Sequence, residues 1–425
     1  MRSFLLLLLS TLAIRGAVIW VQQSELNSDP DGYRAIAERV AQEGTFGRTI
    51  QGETQPTAFR PPLYPLALAT IGSTNLSVAV FHLLLGLATV ALTYLIARDI
   101  FETKFALVAA ALVTIDPILL QQSALVMTET LATFLATASL FLLNQWSNEK
   151  GPNRRQSALL GLILGLSVLC RPTFLLFALG VVLVLAWKRR TGKNDESAHS
   201  GKPLLVVALG VVLVCLPWMI RNQLQFGRPM ITTTHGGYTV WLGNNPGFYE
   251  YLRSGRWTKE VWDSKLLDEQ SLAILKKHNF DELASDREHY QRAWTDISVE
   301  PGMFVFSCFV RAQRLWGCFP YQLHQYGSTA RRAMLTLVGV WYVALLLVAF
   351  VGVVRIRRGW LTAPWLWGLL LCLVMTAVHS VYWSNLRMRA PLMPFVALLA
   401  VAGVVGLGRG GNEHRGTEGT ESHRA

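Results

Sequence analysis

The sequence predicts an all-α integral membrane protein. Three observations carry this expectation. Apolar residues make up 52% of the 425 positions and charged ones only 16%, where soluble domains carry about 25% charge. The apolar residues are gathered into long runs, and the basic residues into alternate loops. The runs cover 4–14, 78–97, 105–120, 125–143, 158–169, 173–187, 204–220, 334–354, 361–382 and 392–407. With flanking residues each approaches the roughly 20 positions that cross the hydrocarbon core, so about ten spans are expected. The runs 158–169 and 173–187 also read as one bent hairpin.

A net charge of +12 in a soluble chain would suggest nucleic acid. Here its distribution excludes that reading. Lys and Arg collect at 98–104, 150–155, 188–193 and 355–358, whereas the alternate loops hold few. The positive-inside rule then places both termini in the cytoplasm, which in a bacterium means a multi-pass protein of the inner membrane. Met1-Arg2 before an apolar run also fits a cleaved signal peptide; the even span count and the charge bias favour an uncleaved first helix.

This topology divides the chain into an N-terminal transmembrane module (1–220) with a first external loop (23–77), an external region with surface helices (221–332), C-terminal transmembrane helices (333–408) and a disordered cytoplasmic tail (409–425). In the first loop, 33–44 carries Tyr33, Ile36, Ala37, Val40 and Ala41 on one side, the pattern of an amphipathic surface helix. Asp29, Pro30 and Asp31 signal its start and Gly44 its end. In the second external region, helices are expected at 263–278 and 280–298. A further apolar, aromatic stretch at 301–320 suits an interfacial helix. Small polar residues at 232–238 and 243–246 read as turns first and as sugar-binding amides second. Five cysteines form no disulfide framework; Cys308 and Cys318 are about 15 Å apart if both lie on one helix.

The candidate chemistry lies on the external side. Asp29 and Asp31 are suited to act as a general base toward an acceptor hydroxyl or amine, or to cap the helix that begins near Tyr33. Asp116-Pro117 and Thr128-Glu129 mark the ends of a tight hairpin. Glu129 is expected one turn inside its helix, at a depth where an ionisable residue is a functional candidate. Arg60, Arg171, Arg221, Arg387 and Arg389 occupy the face that the positive-inside rule disfavours. Bidentate pairing with phosphate gives them a reason to be there; contact with bulk anionic lipid is the plainer one. His235, His324 and His379 show no metal-ligand spacing and read as structural. No Walker loop, zinc cluster or Gly-x-Ser-x-Gly elbow is present.

Taken in order, these segments resemble polytopic glycosyltransferases of the C superfamily, in the branch with the protein O-mannosyltransferases and the lipid A aminoarabinose transferase. The resemblance rests on Asp29-x-x-x-Tyr33, Arg60-Pro61-Pro62-Leu63-Tyr64-Pro65, Thr128-Glu129 and Arg171-Pro172. It continues through Pro217-Trp218-x-x-Arg221-Asn222, Trp241-Leu242-Gly243-Asn244-Asn245 and Arg387-x-Arg389-x-Pro391. It implies an inverting transfer of a sugar from a polyprenyl-phosphate donor to a protein, lipid or glycan acceptor on the external face. Asp29 would be the catalytic base and Glu129 a second acidic residue. Asp31, Tyr33, Arg60, Tyr64, Arg171, Arg221, Arg387 and Arg389 would contact substrate. Some members use a divalent metal ion and others do not, and no clear ligand set is visible here. A lipid or sugar transporter is the rival reading; it predicts paired broken helices in related halves, and no such symmetry is seen.

Overall fold

The computed structural model describes residues 1–148, 153–191, 202–319 and 328–405. The architecture is all-α, with one small hairpin. α1 (Arg2–Val21) is apolar along its length and turns Leu5, Leu6 and Leu9 outward. α2 (Tyr33–Glu43) is the expected amphipathic helix: it buries Tyr33, Ile36 and Ala37 and stops at Gly44, which adopts the left-handed φ of 67° that terminates helices.

The hairpin was not expected. β1 (Gly47–Ile50) and β2 (Glu53–Pro56) pair antiparallel, Gly47 opposite Pro56 and Ile50 opposite Glu53. Gln51 and Gly52 turn the chain with φ of 53° and 88°, the positive values that two-residue hairpin loops demand.

α3 (Leu63–Ile71) starts behind the Pro61-Pro62 pair, and α4 (Asn75–Arg98) starts at Thr74, whose hydroxyl accepts from Ser77 N at 3.2 Å. The apolar run 105–120 is not one helix but two, α5 (Thr103–Thr114) and α6 (Pro117–Gln122). Pro117 has no N–H to continue the ladder, and the Asp116 carboxylate caps the new helix at Leu119 N, 3.0 Å away. α7 (Glu129–Asn148) begins at Glu129. This corrects the expectation that Glu129 lies a turn inside: the run 125–143 opens with a turn in which Met127 N donates to Leu125 O at 2.8 Å. The acid therefore sits at the helix N-terminus, where the macrodipole favours negative charge. α8 (Arg154–Cys170) and α9 (Thr173–Thr191) are separate helices joined at Arg171-Pro172, and α10 (Lys202–Phe226) follows.

Short helices build a cap on the next segment: α11 (Gly236–Leu242), α12 (Pro246–Arg253), α13 (Lys265–Lys277), α14 (Glu282–Val299) and α15 (Pro301–Trp316). The expected turn at 243–246 is the cap between two of them, Asn245 accepting from Phe248 N at 2.9 Å. α16 (Thr329–Ile356), α17 (Trp365–Val381), a 3-10 segment (Leu386–Leu392) and α18 (Met393–Val405) complete the bundle.

Among the described residues, five helical segments are long and apolar enough to cross a membrane: Arg2–Val21, Asn75–Arg98, Lys202–Phe226, Thr329–Ile356 and Leu386–Val405. Thr103–Thr114 and Trp365–Val381 are apolar but shorter. α18 is buried from Met393 to Gly403 and forms the bundle centre, whereas α1, α10 and α16 keep their leucines outward, as lipid-facing helices do. Backbones approach closely where side chains are absent. A Cβ on Gly161 of α8 would meet Val207 O of α10 at 2.6 Å, and one on Gly352 of α16 would collide with Leu399 O of α18. The cap has its own small cores, one around Trp241, Leu267 and Ile274 and another around Phe248, Tyr251 and Val310. All five cysteines are free.

Candidate active site

Asp29-Pro30-Asp31-Gly32 is a turn, closed by Gly32 N donating to Asp29 O at 3.1 Å. Proline at its second position and glycine at its fourth are the residues such a turn selects. The turn sets both acids ahead of α2. Asp29 spends one oxygen on the helix, accepting from Ala35 N at 3.0 Å. Its other oxygen is buried with no hydrogen-bond partner among the described residues. The capping and chemical readings of Asp29 are thus compatible, one oxygen serving each.

Asp31 faces Arg60. The Arg60 guanidinium donates Nε to Asp31 O at 2.8 Å and a terminal nitrogen to its carboxylate at 2.9 Å. It also lies 5.6 Å from the centre of the Tyr33 ring and 5.0 Å from that of Phe59. Pro61 and Pro62 stiffen the segment behind it. Burial raises the Tyr33 phenol, with nearby Arg60 opposing, so Tyr33 stays a neutral hydroxyl. Its ring packs edge-on against Tyr64 at 5.4 Å.

Tyr64 leads to His82, which the sequence gave no reason to single out. Tyr64 Oη and His82 Nε2 are 2.9 Å apart, and His82 Nδ1 is 3.1 Å from Ser123 O. A carbonyl only accepts, so a neutral His82 carries its proton on Nδ1 and Tyr64 donates to Nε2. Ser123 is held in turn by Arg15, buried on α1, which donates to Ser123 Oγ at 2.8 Å and to Val113 O and Leu119 O at 3.2 Å.

The second acidic group is Glu129, whose side chain is fully buried. Arg171 donates to it at 2.8 Å and to Thr128 Oγ1 at 3.0 Å. Arg387, from the 3-10 segment before α18, lies 3.5 Å from the same Glu129 oxygen and 3.9 Å from Asp31. Arg387 therefore bridges the two acidic groups. Asp31 and Glu129 face Arg60, Arg171 and Arg387, so these five groups leave a net positive charge beside Asp29. Glu129 Oε2, one terminal nitrogen of Arg171 and Arg387 Nε make no hydrogen bond among the described residues. Buried polar atoms of this kind call for a ligand or water. Spare guanidinium N–H groups among these acids suit the oxygens of a phosphate.

Two candidate arginines belong to other networks. Arg221 on α10 donates to Thr57 O at 2.9 Å and Phe46 O at 2.7 Å, with its guanidinium against Phe46, Trp218 and Phe226. It ties the first loop to α10. Arg389 is fully buried, donates to Gly317 O at 2.5 Å and lies over the Tyr342 ring at 4.2 Å. Tyr342 in turn donates to Asp116 at 2.9 Å. Both are joined to backbone and aromatic partners rather than to the Asp31–Glu129 group. His235 meets the Phe59 ring at a tilt, 4.2 Å between centres, and stacks on Tyr238 at 5.2 Å; its burial lowers its pKa to about 3, which keeps it neutral. His379 approaches Trp383 O at 3.2 Å; His324 lies outside the described residues. Among the described residues no group of three or more His, Cys, Asp or Glu side chains is arranged to hold a metal ion.

With this geometry in view, comparison with known proteins supports the resemblance read from the sequence. The family model described as dolichyl-phosphate-mannose-protein mannosyltransferase matches residues 60–220, the stretch that carries Arg60, Tyr64, Glu129 and Arg171. No curated protein matches. Among solved structures, the chain is similar to the oligosaccharyltransferase of Archaeoglobus fulgidus tethered with an acceptor peptide, with 15% identity and a TM-score of 0.49 over 93% of this chain and 49% of that one. It is also similar to the same organism's AglB in complex with an inhibitory peptide and a dolichol-phosphate (14%, 0.49, 94% and 50%). A third similarity is to ArnT of Cupriavidus metallidurans bound to undecaprenyl phosphate (13%, 0.40, 93% and 77%). The chain spans about half the length of the oligosaccharyltransferase.

Proposed function

We propose that this protein is a membrane glycosyltransferase that moves a sugar from a polyprenyl-phosphate donor to an acceptor on the external face of the bilayer, with inversion. The observation that carries the reading is the Asp29 carboxylate: one oxygen is fixed by Ala35 N, the other is buried and uncommitted, and it stands beside a cluster with spare guanidinium donors. The family-model match over 60–220, whose description includes a lipid-phosphate sugar, points the same way.

In this mechanism Asp29 takes the proton of the acceptor hydroxyl as its oxygen attacks the anomeric carbon. The bond from that carbon to the phosphate oxygen breaks on the opposite side, and polyprenyl phosphate leaves. Arg60, Arg171 and Arg387 receive the charge that grows on the phosphate, the kind of preorganised stabilisation that supplies much of catalysis. Glu129 holds two of these arginines in place. Tyr33 and Tyr64 shape the pocket wall. The lipid chain lies against the apolar bundle.

The test is turnover in proteoliposomes with a panel of polyprenyl-phosphate sugars and an acceptor extract, following release of free polyprenyl phosphate. Wild type releases it from at least one donor. A correctly folded Asp29→Asn variant loses about 10²–10⁴-fold in rate, the usual contribution of a general base. Release retained in the variant removes Asp29 from the role, and no release from any donor favours transport over transfer.

A further inference from the structure

A cavity lies in the cap, apart from the acid and arginine cluster. Its volume is about 760 Å³, within the range of roughly 300–1,000 Å³ that small-ligand sites occupy. α14 forms one wall with Glu288, Gln291, Arg292 and Thr295, positions spaced three and four apart on one face. α13 and the segment before it form the opposite wall with Asp263 and Gln270, and Trp241 and Trp262 line the interior.

We propose that this cleft binds a neutral oligosaccharide portion of the acceptor, an extension of the transfer site that rests on the transferase reading above. The first argument is charge. Glu288 is paired with Lys277 and Arg292, each at 2.8 Å, and is drawn down to a pKa of about 2, chiefly by Lys277. Two cations thus face three carboxylates, Glu288, Asp263 and Asp296, and the lining carries a net charge of −1. A phosphate or an anionic headgroup is repelled, and a neutral ligand is not.

The second argument is hydrogen bonding. Gln270 and Gln291 are exposed in the cleft, their side-chain amides make no hydrogen bond among the described residues, and each offers both a donor and an acceptor. Asp296 gives one oxygen to Trp241 Nε1 at 3.2 Å and Asp263 gives one to Lys265 N at 3.1 Å. Each retains a second oxygen. Amides and carboxylates in alternation match the paired donors and acceptors of sugar hydroxyls. The indoles beneath are held rigid, Trp241 by His289 at 5.5 Å and Trp262 by Phe248 at 5.1 Å. A peptide would instead seek a free strand edge or a row of apolar pockets, and the strands among the described residues lie elsewhere, at 47–56.

The third argument is position. Glu282, in the first turn of α14, accepts from Ala58 N at 3.0 Å, two residues from Arg60. Gln291 lies nine positions on, about 14 Å along the same helix. Nine positions also carry Gln291 half-way round the helix from Glu282, so a chain of sugars joining the two places would wrap around α14 as well as run along it.

The test is saturation-transfer NMR on the full-length protein in nanodiscs, with mannotriose, cellotriose, N-acetylchitotriose and a Ser/Thr-rich decapeptide as probes. Wild type and Asp29→Asn are expected to bind at least one trisaccharide alike, because binding needs no turnover. A Gln270→Ala/Gln291→Ala variant, altered only at exposed positions, is expected to bind about tenfold more weakly, the equivalent of about one hydrogen bond. Absence of saccharide binding by wild type, binding unchanged in the double variant, or binding of the peptide alone would each overturn the proposal. Trisaccharide binding that persists without turnover from any donor would leave the cleft standing and remove only the transferase reading.

Discussion

Arg171 and Glu129 form a 2.8 Å salt bridge in which the carboxylate is wholly buried and the guanidinium side chain only 12% exposed. A pair this deep is costly to break from one side. Replacing Arg171 with Ala should destabilise the protein by about 3–5 kcal/mol, and Arg171→Met with Glu129→Leu by less than either single change. Melting curves of the purified variants in one detergent give the order. A double variant less stable than both singles would refute it.

Arg60 grips Asp31 with two nitrogens. Lysine keeps the charge and loses the fork. If Arg60 serves the departing phosphate, Arg60→Lys lowers kcat by about 10²–10³ with little change in KM. Steady-state kinetics with the active donor decide this, and a rise in KM alone would reassign Arg60 to ground-state binding.

Glu282 is the knot of the cap. It accepts from Thr57 Oγ1 at 2.5 Å, Ala58 N at 3.0 Å and Thr234 Oγ1 at 2.8 Å, and pairs with Arg48 at 3.0 Å. Glu282→Ala orphans all of these donors at about 1–3 kcal/mol for each that stays buried. Limited proteolysis should find the 57–60 segment newly cleavable. Equal protection in the variant would show that the knot is dispensable.

Asp286 accepts from Gly237 N at 2.7 Å, yet burial raises its pKa from 3.8 to about 6. A carboxyl raised on folding favours the native state in its protonated form. Its contribution is therefore complete below 3.8 and lost as pH climbs through about 6. Relative to Asp286→Asn, wild type should lose stability across that window and stay level above it. His289 nearby runs the other way, its pKa lowered by burial to about 4, so the comparison must be made against the Asn variant rather than in wild type alone.

Gly352 has no room for a methyl group, since Leu399 O of α18 occupies the place. Gly352→Ala should force α16 and α18 apart and lower the melting temperature, an overpacking cost of about 1–3 kcal/mol or more. An Ala variant as stable as wild type would mean that the two helices slide freely.

The membrane class, the amphipathic α2 and the cap helices α13, α14 and α15 were legible because each carries a strong period or a long apolar run. The acids and the arginines Arg60, Arg171 and Arg387 were legible as types on one side of a topology, and their meeting was not: Asp31 and Arg387 are brought together only by the tertiary fold. Arg221 and Arg389 resemble them in sequence but were drawn to carbonyls and rings that no spacing reveals. His82 escaped notice because it sits in an apolar run and its partners, Tyr64 and Ser123, are themselves unremarkable in sequence. The hairpin at 47–56 was missed because Gln51-Gly52 is a weak form of the Asn-Gly signal, and the break before Pro117 was masked by the apolar residues on both sides.

The position of Arg387 also sets a schedule. Asp31 and Glu129 are made early, while the guanidinium that bridges them belongs to the 3-10 segment Leu386–Leu392, just ahead of α18. While the chain is being synthesised, α7 must hold a buried acid with Arg171 as its sole partner in the cluster. The bridge forms only when residues 386–392 have been made. A nascent chain stalled before residue 386 would thus present the acids with their cationic bridge missing.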